Sequence, residues 1–177
     1  MTRNPLILVT LALGLVLAGC SNRSIGNKID DQFLEPDVAN AISRGHADLA
    51  SPTSHIVVTA YNGVILLAGQ TPRADLKEKA GQIANRVQGV KKLHNEIQVL
   101  APSSLVARSN DAALTSKIKT QMLFDSNVPS AKIKVVTENG IVYLLGIVSR
   151  AEGAAATSLV QGVSGVQKII QLYQYTN

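Results

Sequence analysis

A chain of 177 residues is longer than one small domain requires, and its formal net charge is +5. Hydrophobic residues make up 46%, yet aromatics are only 3% and tryptophan is absent. Cores of valine, isoleucine, leucine and alanine follow, and positive charge without aromatic platforms argues against base-stacking nucleic-acid modules.

Residues 1–19 read as a signal segment and not as part of a fold. Arg3 supplies a positive start, Leu6 to Leu17 an apolar run too short to span a bilayer comfortably, and Leu17-Ala18-Gly19-Cys20 closes it. Leu-Ala-Gly-Cys is similar to the lipobox of bacterial lipoproteins. That resemblance implies diacylglyceryl transfer to the Cys20 thiol, cleavage before Cys20 and acylation of the new amino group. Cys20 is the single cysteine, so no disulfide can form within the chain. Several acyl chains make a stable anchor where one is marginal. Ser21 follows, not the aspartate that resembles an inner-membrane retention signal, so the periplasmic face of the outer membrane is the expected address. Residues 20–27 form the lipidated cysteine and a polar spacer.

A first domain is expected over 28–100. It opens with a helix near Pro36 to Leu49, capped by Asp37. From Ile56 to Gly69, two β-branched apolar runs surround Asn62-Gly63. An Asn-Gly pair supplies the two positive-φ residues of a type I′ turn, so this stretch predicts a tight β-hairpin. Leu76, Ala80, Ile83 and Val87 step by four, three and four, one apolar stripe of a helix that Gly89 should stop. Leu93 to Leu100 alternates like a third strand.

After a linker at 101–109, a second domain over 110–177 repeats the pattern. A helix is predicted from Asp111 to Phe124, then a hairpin from Ile133 to Gly146 around Asn139-Gly140, 77 residues after the first. Ala156, Leu159, Val163 and Val166 echo Ala80, Ile83, Val87 and Val90 at an offset of 76. Gly165 ends that helix and Ile169 to Tyr175 is the last strand. The fold class is α+β: two tandem αββαβ units, each a three-stranded mixed sheet with two helices on one face. A linker this short keeps the domains packed together or at limited separation.

The repeated Ile-x-Val, Asn-Gly, Val-x-Leu-x-Gly and helix-terminal Val-x-Gly-Val resemble the BON domain. With the lipobox, the chain is similar to the dual-BON outer-membrane lipoproteins of Gram-negative bacteria. The resemblance implies binding of anionic phospholipid, enrichment at division sites and support of outer-membrane integrity. Two departures stand out. The second repeat ends Gln171-Leu172-Tyr173-Gln174-Tyr175 where the first has Asn95-Glu96-Ile97-Gln98-Val99. Ala113 also stands where relatives carry an aromatic.

No catalytic constellation is visible and no cofactor is expected. His46, His55 and His94 lack the spacing of metal ligands. Neither a Gly-x-Ser-x-Gly elbow nor a Walker loop occurs. Asp30 with Asp31, and Asp75 with Glu78, read as solvated surface charge. From Ile25 to Leu100 basic and acidic residues balance at eight each. From Ala101 onward seven basic residues face four acidic ones, a net of +3. Lys117, Lys119, Lys132 and Lys134 flank the segment that also holds Leu123, Phe124 and Val128. Lysines beside apolar groups at a helix end suit an anionic lipid surface, such as phosphatidylglycerol. The candidate lipid-binding set is therefore Lys117, Lys119, Leu123, Phe124, Lys132 and Lys134. Leu123, Phe124 and Val128 could equally close the core beneath the loop. Two other functions stay open: an adaptor that docks an outer-membrane assembly protein through the neutral first repeat or a sheet edge, and a periplasmic enzyme.

Overall fold

The computed structural model describes residues 25–176. The signal segment 1–19 and Cys20 lie outside the described residues. Helix α1 (Ile25–Gly45) places Leu34, Val38 and Ile42 at every fourth position, and all three are buried. Sequence reasoning started this helix near Pro36 with Asp37 as its cap, but both lie well inside it. Proline removes one intrahelical hydrogen bond and need not end the helix when surrounding contacts hold both sides. Those contacts are tertiary. Leu34 belongs to the core, while Asp31 and Glu35 accept hydrogen bonds from the hairpin backbone at 2.6–2.9 Å.

After a 3₁₀ turn at Ala47–Leu49 come β1 (His55–Tyr61), β2 (Val64–Thr71), α2 (Ala74–Asn85), β3 (Lys92–Asn95) and β4 (Gln98–Val99). β1 runs antiparallel to β2, and β3 and β4 both run parallel to β2. The expected third strand is thus interrupted. Ile97 dives into the core at 1% exposure, and Asn95 turns its amide to the Lys77 carbonyl at 2.8 Å.

The second domain carries α3 (Leu105–Phe124), a 3₁₀ turn at Ser130–Lys132, β5 (Ile133–Glu138), β6 (Ile141–Val148), α4 (Arg150–Gln161) and β7 (Lys168–Tyr175). Its sheet has the order β5-β6-β7, with the last pair parallel and unbroken. Residues 105–109, expected in the linker, are helical because Ser104 caps α3 by accepting from Ala107 N at 3.1 Å. Helices α2 and α4 end at Asn85 and Gln161, so Gly89 and Gly165 sit in the turn beyond, at φ +95° and +105°.

Each sheet buries one face beneath its own two helices. Ile65 and Leu67 of β2 meet α1 and α2, and Val142 and Leu144 of β6 meet α3 and α4. The alternate residues Leu66, Ala68, Tyr143 and Leu145 point the other way and pack together with Tyr61 and Leu172 in a third core. The two sheets therefore lie face to face, in the order helices, sheet, sheet, helices. Every residue of β2 is buried as a result. Each large apolar side chain removed from water there contributes roughly 1.5–3 kcal/mol.

Both hairpins use the turn expected of Asn-Gly. Asn62 and Gly63 have φ of 55° and 77°, and Asn139 and Gly140 have 52° and 73°. A Cβ on Gly63 would also lie 2.8 Å from the Lys91 side chain, and one on Gly140 2.7 Å from Gln167. Gly63→Val or Gly140→Val is expected to destabilise the protein by roughly 1–3 kcal/mol through backbone strain. A thermal melt unchanged in both variants would contradict this account of the turns.

Candidate functional site

Helix α3 turns Ile118 and Met122 into the second core and presents the opposite face to solvent. Leu105 and Val106 at its start and Leu123 and Phe124 at its end are 70–83% exposed. Leu105 and Leu123 stand about five helical turns apart, and Val106 and Phe124 likewise, so both pairs lie on one side of the helix. Exposed Lys117 and Lys119 flank that side. Val128, in contrast, is buried in the second core. The sequence left open whether Leu123 and Phe124 close the core, and they do not.

Lys132 and Lys134 do not join this surface as free charges. Lys132 Nζ lies 2.7 Å from Glu152 Oε1, in the capping box at the start of α4. Its ammonium, together with the Ser149 backbone, holds the Glu152 carboxyl below the usual carboxylate range. Lys134 pairs across the domain boundary with Glu35 and donates to the Ala60 carbonyl at 3.3 Å. Both lysines were expected at the lipid site, and each is engaged by a carboxylate that sequence spacing cannot reveal.

The role of two aspartates escaped the sequence reading. Asp31 accepts from Asn62 N and Gly63 N, and Asp111 accepts from Asn139 N and Gly140 N, at 2.6–2.9 Å. Both are buried, so Asp31 is not the solvated charge expected of it. Each carboxylate ties the first helix of its domain to its own Asn-Gly turn. The available signal was an aspartate about 30 residues before each Asn-Gly pair.

The turn asparagines then reach across to the other domain. Asn62 Nδ2 lies 3.4 Å from Gln174 Oε1, and Asn139 Nδ2 lies 3.2 Å from Gln98 Oε1. Tyr61 donates its hydroxyl to the Lys132 carbonyl at 2.6 Å. Glu138, 77 residues after Tyr61, stands 3.6 Å from His55 Nε2, and His55 lies 77 residues before Lys132. These contacts give the domain seam an approximate two-fold symmetry. Glu138 Oε2 is buried without a hydrogen-bond partner among the described residues. Burial, then the Asp111 carboxylate, pushes the Glu138 carboxyl up to about 7, against a weaker opposing pull from the Gln70 amide, which makes no hydrogen bond of good geometry to it, and from Arg108. Burial and Arg108 push His55 below its ordinary value. Near neutral pH this contact is therefore only partly an ion pair.

Two αββαβ units in tandem, each with its Asn-Gly turn clamped by an aspartate of its first helix, define a duplicated α+β domain. The chain matches the BON domain over residues 30–101 and again over 110–177, and it belongs to that family. It is 34% identical to outer membrane lipoprotein DolP of Haemophilus influenzae, with 99% of each chain covered. It is 38% identical to the 21 kDa hemolysin of Actinobacillus pleuropneumoniae, over 86% of this chain and 78% of that one. With osmotically-inducible protein Y of Escherichia coli it shares 32% identity, over 84% of this chain and 74% of the relative.

Glu138 makes the seam sensitive to pH. Its folded pKa lies above the ordinary 4.5, so the stability carried by its neutral form is full below about pH 4.5 and is lost as pH rises through 7. Glu138→Gln should flatten that fall and raise stability at pH 8 by on the order of 1–3 kcal/mol. His55 acts with the opposite sign: its depressed pKa removes stability as pH falls below 6.5. Denaturant titrations of both proteins from pH 5 to 8 measure the difference, and parallel profiles would contradict the assignment.

Proposed function

We propose that this protein is a non-catalytic, lipid-anchored component of the outer membrane, on its periplasmic face, whose second domain binds anionic phospholipid through α3. The observation that carries the reading is the solvent-facing side of α3, with Leu123 and Phe124 exposed at its end beside Lys117 and Lys119. A helix lying on a membrane buries such apolar groups at the acyl boundary while ammonium groups meet lipid phosphates. Each lysine near an anionic surface contributes on the order of 1 kcal/mol, so two lysines and two apolar side chains support weak, salt-sensitive binding. The relatives are named for the outer membrane, for hemolysis and for osmotic induction, and none is named for a catalysed reaction. Those names support a role in envelope integrity. Enrichment at division sites is the further step that the family resemblance suggests.

Lys117→Glu/Lys119→Glu should abolish co-sedimentation with phosphatidylglycerol liposomes and leave the melting curve nearly unchanged. Leu123→Glu should do likewise, because that side chain has no core contact to lose. Undiminished binding by the double variant would move the lipid site off α3.

The anchor is tested separately. Cys20→Ser should release a folded protein into the periplasmic fraction, since every residue of the domain cores lies well beyond Cys20. Recovery of that variant in membranes after high-salt and carbonate washes would refute lipidation as the anchor.

A further inference from the structure

Each domain leaves an open cleft between its first helix, its Asn-Gly turn and the glycine turn after its second helix. In the first domain Asp30, Phe33 and Asp37 line it from α1, facing Gly63, Gly89 and Lys91, with a volume of about 290 Å³. In the second domain α3 lines the equivalent cleft, together with Gly140, Gly165 and Gln167. The two first helices superpose at an offset of 80, which carries Asp31, Leu34 and Val38 onto Asp111, Leu114 and Ile118. At that offset Phe33 becomes Ala113 and Asp37 becomes Lys117. The scaffold is shared, and the first cleft alone keeps an excess of negative charge. Asp31 and Asp111 hold their turns in both domains, so the difference between the clefts comes from the other charges. These are Asp30 and Asp37 against Lys91 in the first cleft, and Lys117 in the second.

We infer that the first-domain cleft is a docking site for an arginine side chain of a partner protein, held between the Phe33 ring and the carboxylates of Asp30 and Asp37. Positions 30, 33 and 37 are one and two turns apart on α1 and share its outer face. Phe33 is 66% exposed, and Asp30 and Asp37 make no ion pair among the described residues, Lys91 across the cleft included. An exposed aromatic with carboxylates one turn to either side offers a guanidinium a face to stack on and oxygens for its planar fork. Lysine lacks the planar fork, and a phosphate would meet two like charges. The volume sits at the lower end of small-molecule pockets, so it suits one long side chain and not a large ligand. This cleft repels the anionic surface that α3 is proposed to bind, so the inference does not depend on the lipid reading.

The chain contains no tryptophan, so Phe33→Trp places a single indole on the cleft rim. The full-length variant in nonionic detergent is titrated with N-acetyl-arginine amide and, in parallel, with the uncharged citrulline analogue. A saturable change in emission with arginine alone is expected, at least tenfold weaker when Asp30→Asn/Asp37→Asn is added. All three positions are exposed, so the melting curve should stay as it was. The absence of a saturable response, an equal response to citrulline, or an affinity unchanged by the double substitution would overturn the inference. An emission blue shift on phosphatidylglycerol vesicles without any response to arginine would also overturn it, assigning this face to the membrane.

Discussion

Packing of one sheet against the other is the contact on which the rest of this structure depends. A three-stranded sheet covered by helices on one side still exposes an apolar opposite face, here carrying Leu66 and Ala68 in one domain and Tyr143 and Leu145 in the other. Neither face is tolerable in water, and each is the other's cover. The price is a set of polar groups caught at the margin of the seam. Tyr61, Asn62 and Asn139 find partners across it, while Glu138 settles for a long contact to His55 and a raised pKa.

Duplication explains why the seam is nearly symmetric, and divergence explains why the outside is not. The residues that hold turns and cores recur: Asp31 with Asp111, Asn62 with Asn139, Leu66 with Tyr143. Solvent-facing positions of the first helices have no such constraint, so Phe33 and Asp37 could part from Ala113 and Lys117 without cost to the fold. Two domains with one scaffold thereby line equivalent clefts with different charge, acidic in the first and balanced in the second.

The exposed end of α3 follows from how that helix is loaded. Asp111, Ile118 and Met122 take the inward face, and Val128 fills the core beyond the helix end. Nothing inside is left for Leu123 or Phe124 to fill. Lys132 and Lys134 sit only a few residues further on, yet Glu152 and Glu35 draw them into ion pairs of the fold. Proximity in sequence therefore did not reveal that these two lysines are tied into the fold.

The repeats, the hairpins and the tandem αββαβ architecture were legible in the sequence because they rest on local chemistry. Asn-Gly needs positive φ wherever it turns a hairpin, and β-branched runs or fourfold apolar spacing describe strands and helices without reference to any neighbour. The family resemblance rested on the same landmarks. What lay beyond reach was whatever a distant partner decides. Pro36 reads as a helix start until Asp31, Leu34 and Glu35 are seen tied to the hairpin, and Asp31 reads as solvated until the turn amides come to it. The choice between a buried and an exposed Phe124, the capture of Lys134 by Glu35 99 residues away, and the second buried face of β2 were all settled by packing. Periodicity shows that a strand has two faces; only the folded chain determines what covers the second one.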